Sequence, residues 1–178
     1  AKESLVQERG AGAAPDPQTG LPGPAELHEW MRMLLLDQRR SARPFAVAHI
    51  ELEGVERITS GYGAEARERI VGALAGMVEG QLEPHERAFR RGEGQLVVVA
   101  PDGEPERLLE FGSRLADLVE RSQTEGGTHI AVAIGVSGSP MHGASGERLL
   151  EAAEEAAWAA RASGQAVALA RAGSVQDS

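Results

Sequence analysis

The chain has 178 residues, 42% of them hydrophobic, a net charge of −9 and no cysteine. That length fits one compact domain with short tails, and the missing cysteines exclude a disulfide framework and a cysteine metal site. The acidic balance argues against nucleic acid as a partner. No apolar run approaches the roughly 18 residues of a membrane span, and Ala1-Lys2-Glu3-Ser4 lacks the apolar core of a signal peptide, so the expectation is a cytoplasmic domain without membrane insertion.

Residues 1–9 read as the end of a helix arriving from an upstream segment, inside a linker over 1–15, and the Gly/Ala/Pro-rich run Gly10 to Pro17 is a break. Pro24 to about Ala42 is a helix: Leu27, Trp30, Leu34 and Leu35 share one face, Arg39 and Arg40 suit its C-terminal dipole, and Pro44 follows. Phe45 to Leu52 is a strand apolar on both faces. Ala64 to Leu82 is a second helix, with Ile70, Leu74, Met77 and Val78 inward. Arg87 to Arg91 and Gln95 to Ala100 form a hairpin, and Pro105 to Ser122 a third helix with Leu108, Phe111, Leu115, Leu118 and Val119 at helical spacing. A strand over His129 to Ser137 follows, then an Ala-rich fourth helix from Gly146 to Ser163, stopped by Gly164. Gln165 to Ala170 is a last strand, and 171–178 a disordered tail. The order α-β-α-β-β-α-β-α-β, without internal repeat, predicts an α+β fold: a split βαβ, ferredoxin-like core whose mixed central sheet is flanked by helices. The abundance of Ala and Gly reads as GC-rich coding.

The Gly-rich turn Gly92-Glu93-Gly94-Gln95-Leu96 resembles the Gly-Gly-Asp-Glu-Phe hairpin of the GGDEF family, the diguanylate cyclases of bacterial second-messenger signalling. Four more stretches look like the family's motifs in the family's order. Residues 16–23 (Asp-Pro-Gln-Thr-Gly-Leu-Pro-Gly) resemble Asp-x-Leu-Thr-Gly-Leu-Pro-Asn, and 50–63 resemble Leu-Asp-x-Asp-x-Phe-Lys-x-Ile-Asn-Asp-x-x-Gly. Ala133-Ile134-Gly135-Val136-Ser137 is similar to Ser-Ile-Gly-Val-Ala, and 149–161 to Ala-Asp-x-Ala-Leu-Tyr-x-Ala-Lys. The resemblance covers 16–170 and implies a GGDEF-like domain there.

The family condenses two GTP into cyclic di-GMP, a phosphoryl transfer that needs charge neutralised by Mg²⁺ on carboxylates. The resemblance puts the first-strand carboxylate at Glu51 and the two hairpin acids at Gly94 and Gln95, neither of them acidic; Glu93 stands one place early. The triphosphate lysine becomes Glu56, reversing an interaction of about 1 to 4 kcal/mol per close pair. The fourth-helix lysine becomes Arg161, and a further phosphate arginine becomes Gln165. The guanine-reading Asn and Asp become Thr59 and Glu68. An Arg-x-x-Asp product site becomes Glu83-Pro84-His85-Glu86, with Arg87, Arg90 and Arg91 close by as substitute anion-binding groups.

Glu51, Glu53 and Glu56 read either as a residual cation site or as a solvated acidic edge. Arg87, Arg90 and Arg91 read equally as ordinary strand residues. His85, His129 and His142 lack metal-ligand spacing, Ser137 and Ser139 form no nucleophile constellation, and Trp30 and Trp158 read as packing residues. Leu5 and Val6 leave a coiled-coil tail undecided. The expectation is a catalytically inactive GGDEF-like regulatory domain acting through a protein partner or self-association. It needs no cofactor, and Mg²⁺ only with bound nucleotide. The alternatives are a non-catalytic receptor for cyclic di-GMP or GTP, and a cyclase with a rearranged site.

Overall fold

The structure, a computed structural model, describes residues 14–122 and 129–172. The expected helical tail over 1–9 and most of the tail over 171–178 lie outside the described residues. In chain order the elements are α1 (Pro24–Ser41), β1 (Phe45–Leu52), α2 (Val55–Tyr62), α3 (Ala64–Gly80), β2 (Arg87–Gly92), β3 (Gln95–Pro101), α4 (Pro105–Arg121), β4 (Val132–Ser139), α5 (Gly146–Ala162) and β5 (Val167–Leu169).

The sheet order is β2-β3-β1-β4-β5. The β2-β3-β1-β4 portion is antiparallel throughout and is the split βαβ arrangement; β5 adds to β4 in parallel, which makes the sheet mixed. Period-two alternation divides β1 between two cores. Ala46, Ala48, Ile50 and Leu52 meet α2, α3 and α4 through Ile58, Leu74 and Phe111, while Phe45 and Val47 meet α1 and α5 through Leu27, Met31 and Leu149. A strand covered on both faces has no polar side to show, hence its apolar run.

Sequence cues and structure agree on how the helices end. Pro24 occupies the first turn of α1, where its missing N–H costs nothing, and Glu26 reaches back to the Gly23 amide at 3.3 Å. Past α5, Gly164 sits at φ +72°; its amide bonds Arg161 O at 3.2 Å and the Gln165 amide bonds Ala160 O at 2.8 Å, a Schellman closure. One helix differs from the expected order. Residues 55–62 form α2, bracketed by Gly54 at φ +73° and Gly63 at φ +90°. Its inward residue Ile58 is fully buried, which anchors a helix too short to stand alone. Strand β4 starts later and ends later than expected. β5 is shorter, although its flanks still bond the sheet through Ala166 O and Ala170 N. No helix among the described residues is long and apolar enough to cross a membrane.

Candidate functional site

The hairpin, the end of β1 and the α2–α3 corner converge at one edge. Strands β2 and β3 meet through the turn Glu93-Gly94, with a bulge between Arg90 and Gly92. Gly94 holds φ +62°, a conformation favouring glycine. Its carbonyl accepts the Leu52 amide at 2.8 Å, fixing the turn against the end of β1. There is no room for a side chain: a Cβ would stand 2.5 Å from Val55 Cγ2 and 3.3 Å from Leu52 Cβ. Leu96 is fully buried and anchors the far side of the turn.

Glu51 lies opposite Gln95 in the β1–β3 register. Its Oε2 is 2.7 Å from His49 Nε2, and Gln95 Nε2 donates to its Oε1 at 3.4 Å. The His49 bond holds the Glu51 carboxyl below its ordinary range against the opposing effect of burial, with further help from Gln95 and Trp158. His49 is wholly buried and its Nδ1 has no partner, which fits the tautomer carrying its proton on Nε2 and donating it to Glu51. Glu51 is thus tied down rather than part of a solvated edge, while Glu56 is exposed on α2. Trp158 is 52% exposed beside Glu51 instead of packed away. Trp30 does pack, its ring 5.8 Å from Phe89.

At the α2–α3 corner, Arg67 bridges three groups. Its Nη1 donates to Thr59 Oγ1 at 3.2 Å and lies 3.6 Å from Glu93 Oε1, and its Nε donates to Glu68 Oε1 at 3.2 Å. Glu68 also takes both Arg90 Nη groups, at 2.6 and 2.9 Å. Arg90 Nη1 reaches the two Asp16 oxygens at 3.2 and 3.1 Å, and its Nε bonds Gly92 O at 3.2 Å. Arg90 therefore draws the opening turn, α3 and the hairpin together. Glu68, with Asp16, raises the Arg90 pKa, and the Glu68 carboxyl is lowered in turn, chiefly by Arg90.

The neighbouring arginines differ. Arg91 donates to Glu154 on α5 at 2.8 Å. Arg87 is exposed and stacks over Trp30 at 5.1 Å and Phe89 at 5.5 Å. In the segment before β2, Glu86 is buried and accepts from Arg107 Nη2 at 2.6 Å and from the Glu83 amide at 2.7 Å. Arg161 and Gln165 are exposed at the end of α5, Arg161 one turn past Trp158. Among the described residues no group of three His, Cys, Asp or Glu side chains is placed to hold a metal ion.

His49 escaped notice in the sequence, although it stands two residues before Glu51 on the same strand face. Arg67, and the Asp16 and Arg107 partnerships, carry no such local signal. They join segments that only the tertiary fold brings together.

The family model described as "Diguanylate cyclase, GGDEF domain" matches residues 13–166. Among solved structures, the chain is similar to the coiled coil and GGDEF domain of DgcB from Caulobacter crescentus, solved in complex with c-di-GMP. That match has 18% identity and a TM-score of 0.81, covering 95% of this chain and 91% of that one. It is also similar to the diguanylate cyclase SiaD from Pseudomonas aeruginosa, solved with its activator SiaC, at 19% identity and a TM-score of 0.82, covering 95% and 66%. The FimX GGDEF domain from Pseudomonas aeruginosa matches at 24% identity and a TM-score of 0.78, covering 88% and 99%. A hairpin locked onto β1, the β2-β3-β1-β4-β5 sheet and a family match over nearly the whole length place this chain in the GGDEF domain family.

Proposed function

We propose that this GGDEF domain is catalytically silent and serves its signalling protein as a regulatory module acting through protein–protein contact. The observation that carries the reading is the hairpin itself. Mg²⁺ takes oxygen ligands in near-octahedral geometry, usually with one or two carboxylates. Gly94 supplies no ligand and has no space for one. Gln95 uses its amide on Glu51, and Glu51 is already engaged on both oxygens. Glu93 leans toward Arg67 with its side chain 70% exposed. This donor set does not fit a magnesium–triphosphate site.

Three further features support silence toward nucleotide. Thr59 and Glu68 are bridged by Arg67, so both are engaged within the chain. Glu56 presents an exposed anion where a triphosphate would need a cation. Glu86 is buried against Arg107, and Arg90 is enclosed by carboxylates, which leaves Arg87 as the exposed arginine of that strand. A protein-binding role has a precedent on this fold in the SiaD–SiaC complex, and the DgcB domain was solved with c-di-GMP bound.

The test has two parts. Incubation with GTP and Mg²⁺ is expected to yield no cyclic dinucleotide above an enzyme-free blank. Calorimetric titration with cyclic di-GMP, then with a non-hydrolysable GTP analogue plus Mg²⁺, is expected to give no binding heat. Product would overturn the silent reading, and binding without product would make the domain a receptor.

A further inference from the structure

On the sheet face opposite α2 and α3, a groove has the chemistry of a docking site. It has a volume of about 240 Å³ and runs between α1 and the start of α5. His28, Arg32, Leu35, Leu36 and Arg39 line one side. Their spacing puts them on a single stripe of α1, with the leucines between the basic groups. Leu36 is 45% exposed, and its neighbour on the helix, Met33, is 43% exposed.

The other wall is nearly side-chain-free, formed by Ala144, Ser145 and Gly146. Ser145 caps α5 by accepting the Arg148 amide at 3.1 Å, and the positive end of that helix opens toward the groove. No acidic side chain lines the groove. His28 and Arg39 form no ion pair with any described residue. Arg32 pairs with Glu29 at 2.7 Å, but both side chains are 53% exposed. An exposed pair of that kind contributes little and yields readily to a competing carboxylate.

The surroundings make this chemistry selective. The chain as a whole carries −9, so an acidic segment is repelled by most of the surface and attracted to this stripe. Such a pattern sets orientation and partner choice more than raw affinity. We propose that the groove docks an acidic amphipathic helix of a partner protein. One large apolar side chain sits against Leu35 and Leu36, with carboxylates facing Arg39 at one end and His28 and Arg32 at the other. This is the helix-in-groove mode of recognition. It rests on the protein-interaction reading and gives that reading a surface and a partner chemistry.

The test titrates the full chain with a synthetic amphipathic peptide carrying leucines on one helical face and glutamates beside them, followed by amide chemical shifts. A counterpart with lysine for every glutamate serves as control. The expected result is saturable shifts confined to α1 and to residues 144–146, no such shifts with the lysine peptide, and weakening on added salt. Arg39→Glu, an exposed change checked for fold by its thermal melt, is expected to weaken binding by about tenfold or more. Equal binding of both peptides, shifts mapping elsewhere, no shifts at all, or an unaffected Arg39→Glu variant would overturn the proposal. Tighter peptide binding by a Glu3→Lys/Glu8→Lys variant would assign the groove to the chain's own N-terminal segment. Peptide-sensitive self-association in sedimentation would assign it to a second copy; either result removes the partner helix. Failure here leaves the nucleotide titrations standing, and cyclic dinucleotide formed from GTP would sink the silent reading without touching the peptide result.

Discussion

Gly94 answers two constraints with one residue. Its φ of +62° favours glycine, and Val55 Cγ2 would stand 2.5 Å from any Cβ. Aspartate tolerates the left-handed region better than most residues, but it still needs that Cβ. Placing an acid there by Gly94→Asp is therefore expected to destabilise the domain by about 1–3 kcal/mol through overpacking. Near this size that is roughly 2–4 °C of melting temperature per kcal/mol. Adding Val55→Ala is expected to recover part of the loss, and neither variant should form product from GTP. A Gly94→Asp melt equal to that of the unaltered chain would mean the hairpin and α2 part easily. Arg90 shows how a single side chain can mislead a binding experiment. Arg90 joins Glu68 to Asp16, so Arg90→Ala leaves those carboxylates with Arg67 and Thr19 as their remaining partners and is expected to cost about 1.5–3 kcal/mol. Lost ligand binding in that variant would report an opened fold. Arg87→Ala, at an exposed position, is the cleaner probe of this strand for anions.

Element packing gives the alanines of α5 a physical reason beyond coding bias. Ala152, Ala153, Ala156, Ala157 and Ala160 are buried, and the helix lies directly on β4 at Gly135. A Cβ on Gly135 would run into the backbone at Ala153 O and Ala157 N, which cannot swing aside as a side chain can. Gly135→Ala is expected to cost at least about 3 kcal/mol, read from the urea midpoint; a shift of a few tenths would show that α5 can slide. Helices α1, α4 and α5 were legible because each carries an apolar stripe with a proline start, a glycine stop or both. The hairpin was legible because two β-rich runs flank a glycine turn. Helix α2 escaped because eight residues between two glycines read as a loop until Ile58 is seen in the core. Candidate positions such as Glu51 and Glu68 could be placed on their elements, but their partners could not. Arg90 finds Asp16 across a separation of 74 residues, and no local pattern encodes that.

At the scale of the whole molecule, these networks decide how the protein responds to acid. Burial pushes the Asp16 carboxyl up, and the bonds from Thr19 and Arg90 outweigh it, so its pKa falls below the ordinary 3.8. Glu68, through Arg90 first, and Glu51, through His49 first, both fall below 4.5. A carboxylate with a depressed folded-state pKa stabilises fully above its unfolded pKa, and that contribution fades as pH drops through the folded value. His142 adds a separate step of the same sign. Burial lowers its pKa from the ordinary 6.5 against a smaller opposing effect of the Ala170 backbone, and its Nδ1 accepts the Gly138 amide at 2.9 Å. The unfolded chain therefore takes up that proton first, and stability begins to fall below about pH 6.5. Urea midpoints measured from pH 8 to pH 3 (roughly the span of these groups) are expected to be flat at the top. They should decline gently below about 6.5 and more steeply below about 4.5 as the Asp16–Arg90–Glu68 tie is lost. His142→Asn, which keeps an acceptor near the Gly138 amide, is expected to flatten the upper step and leave the lower one. A midpoint that rises on acidification between 7 and 5 would contradict the sign for His142. A curve still flat at pH 3 would mean that the carboxylate tie joining the opening turn, α3 and the hairpin contributes nothing to holding them together.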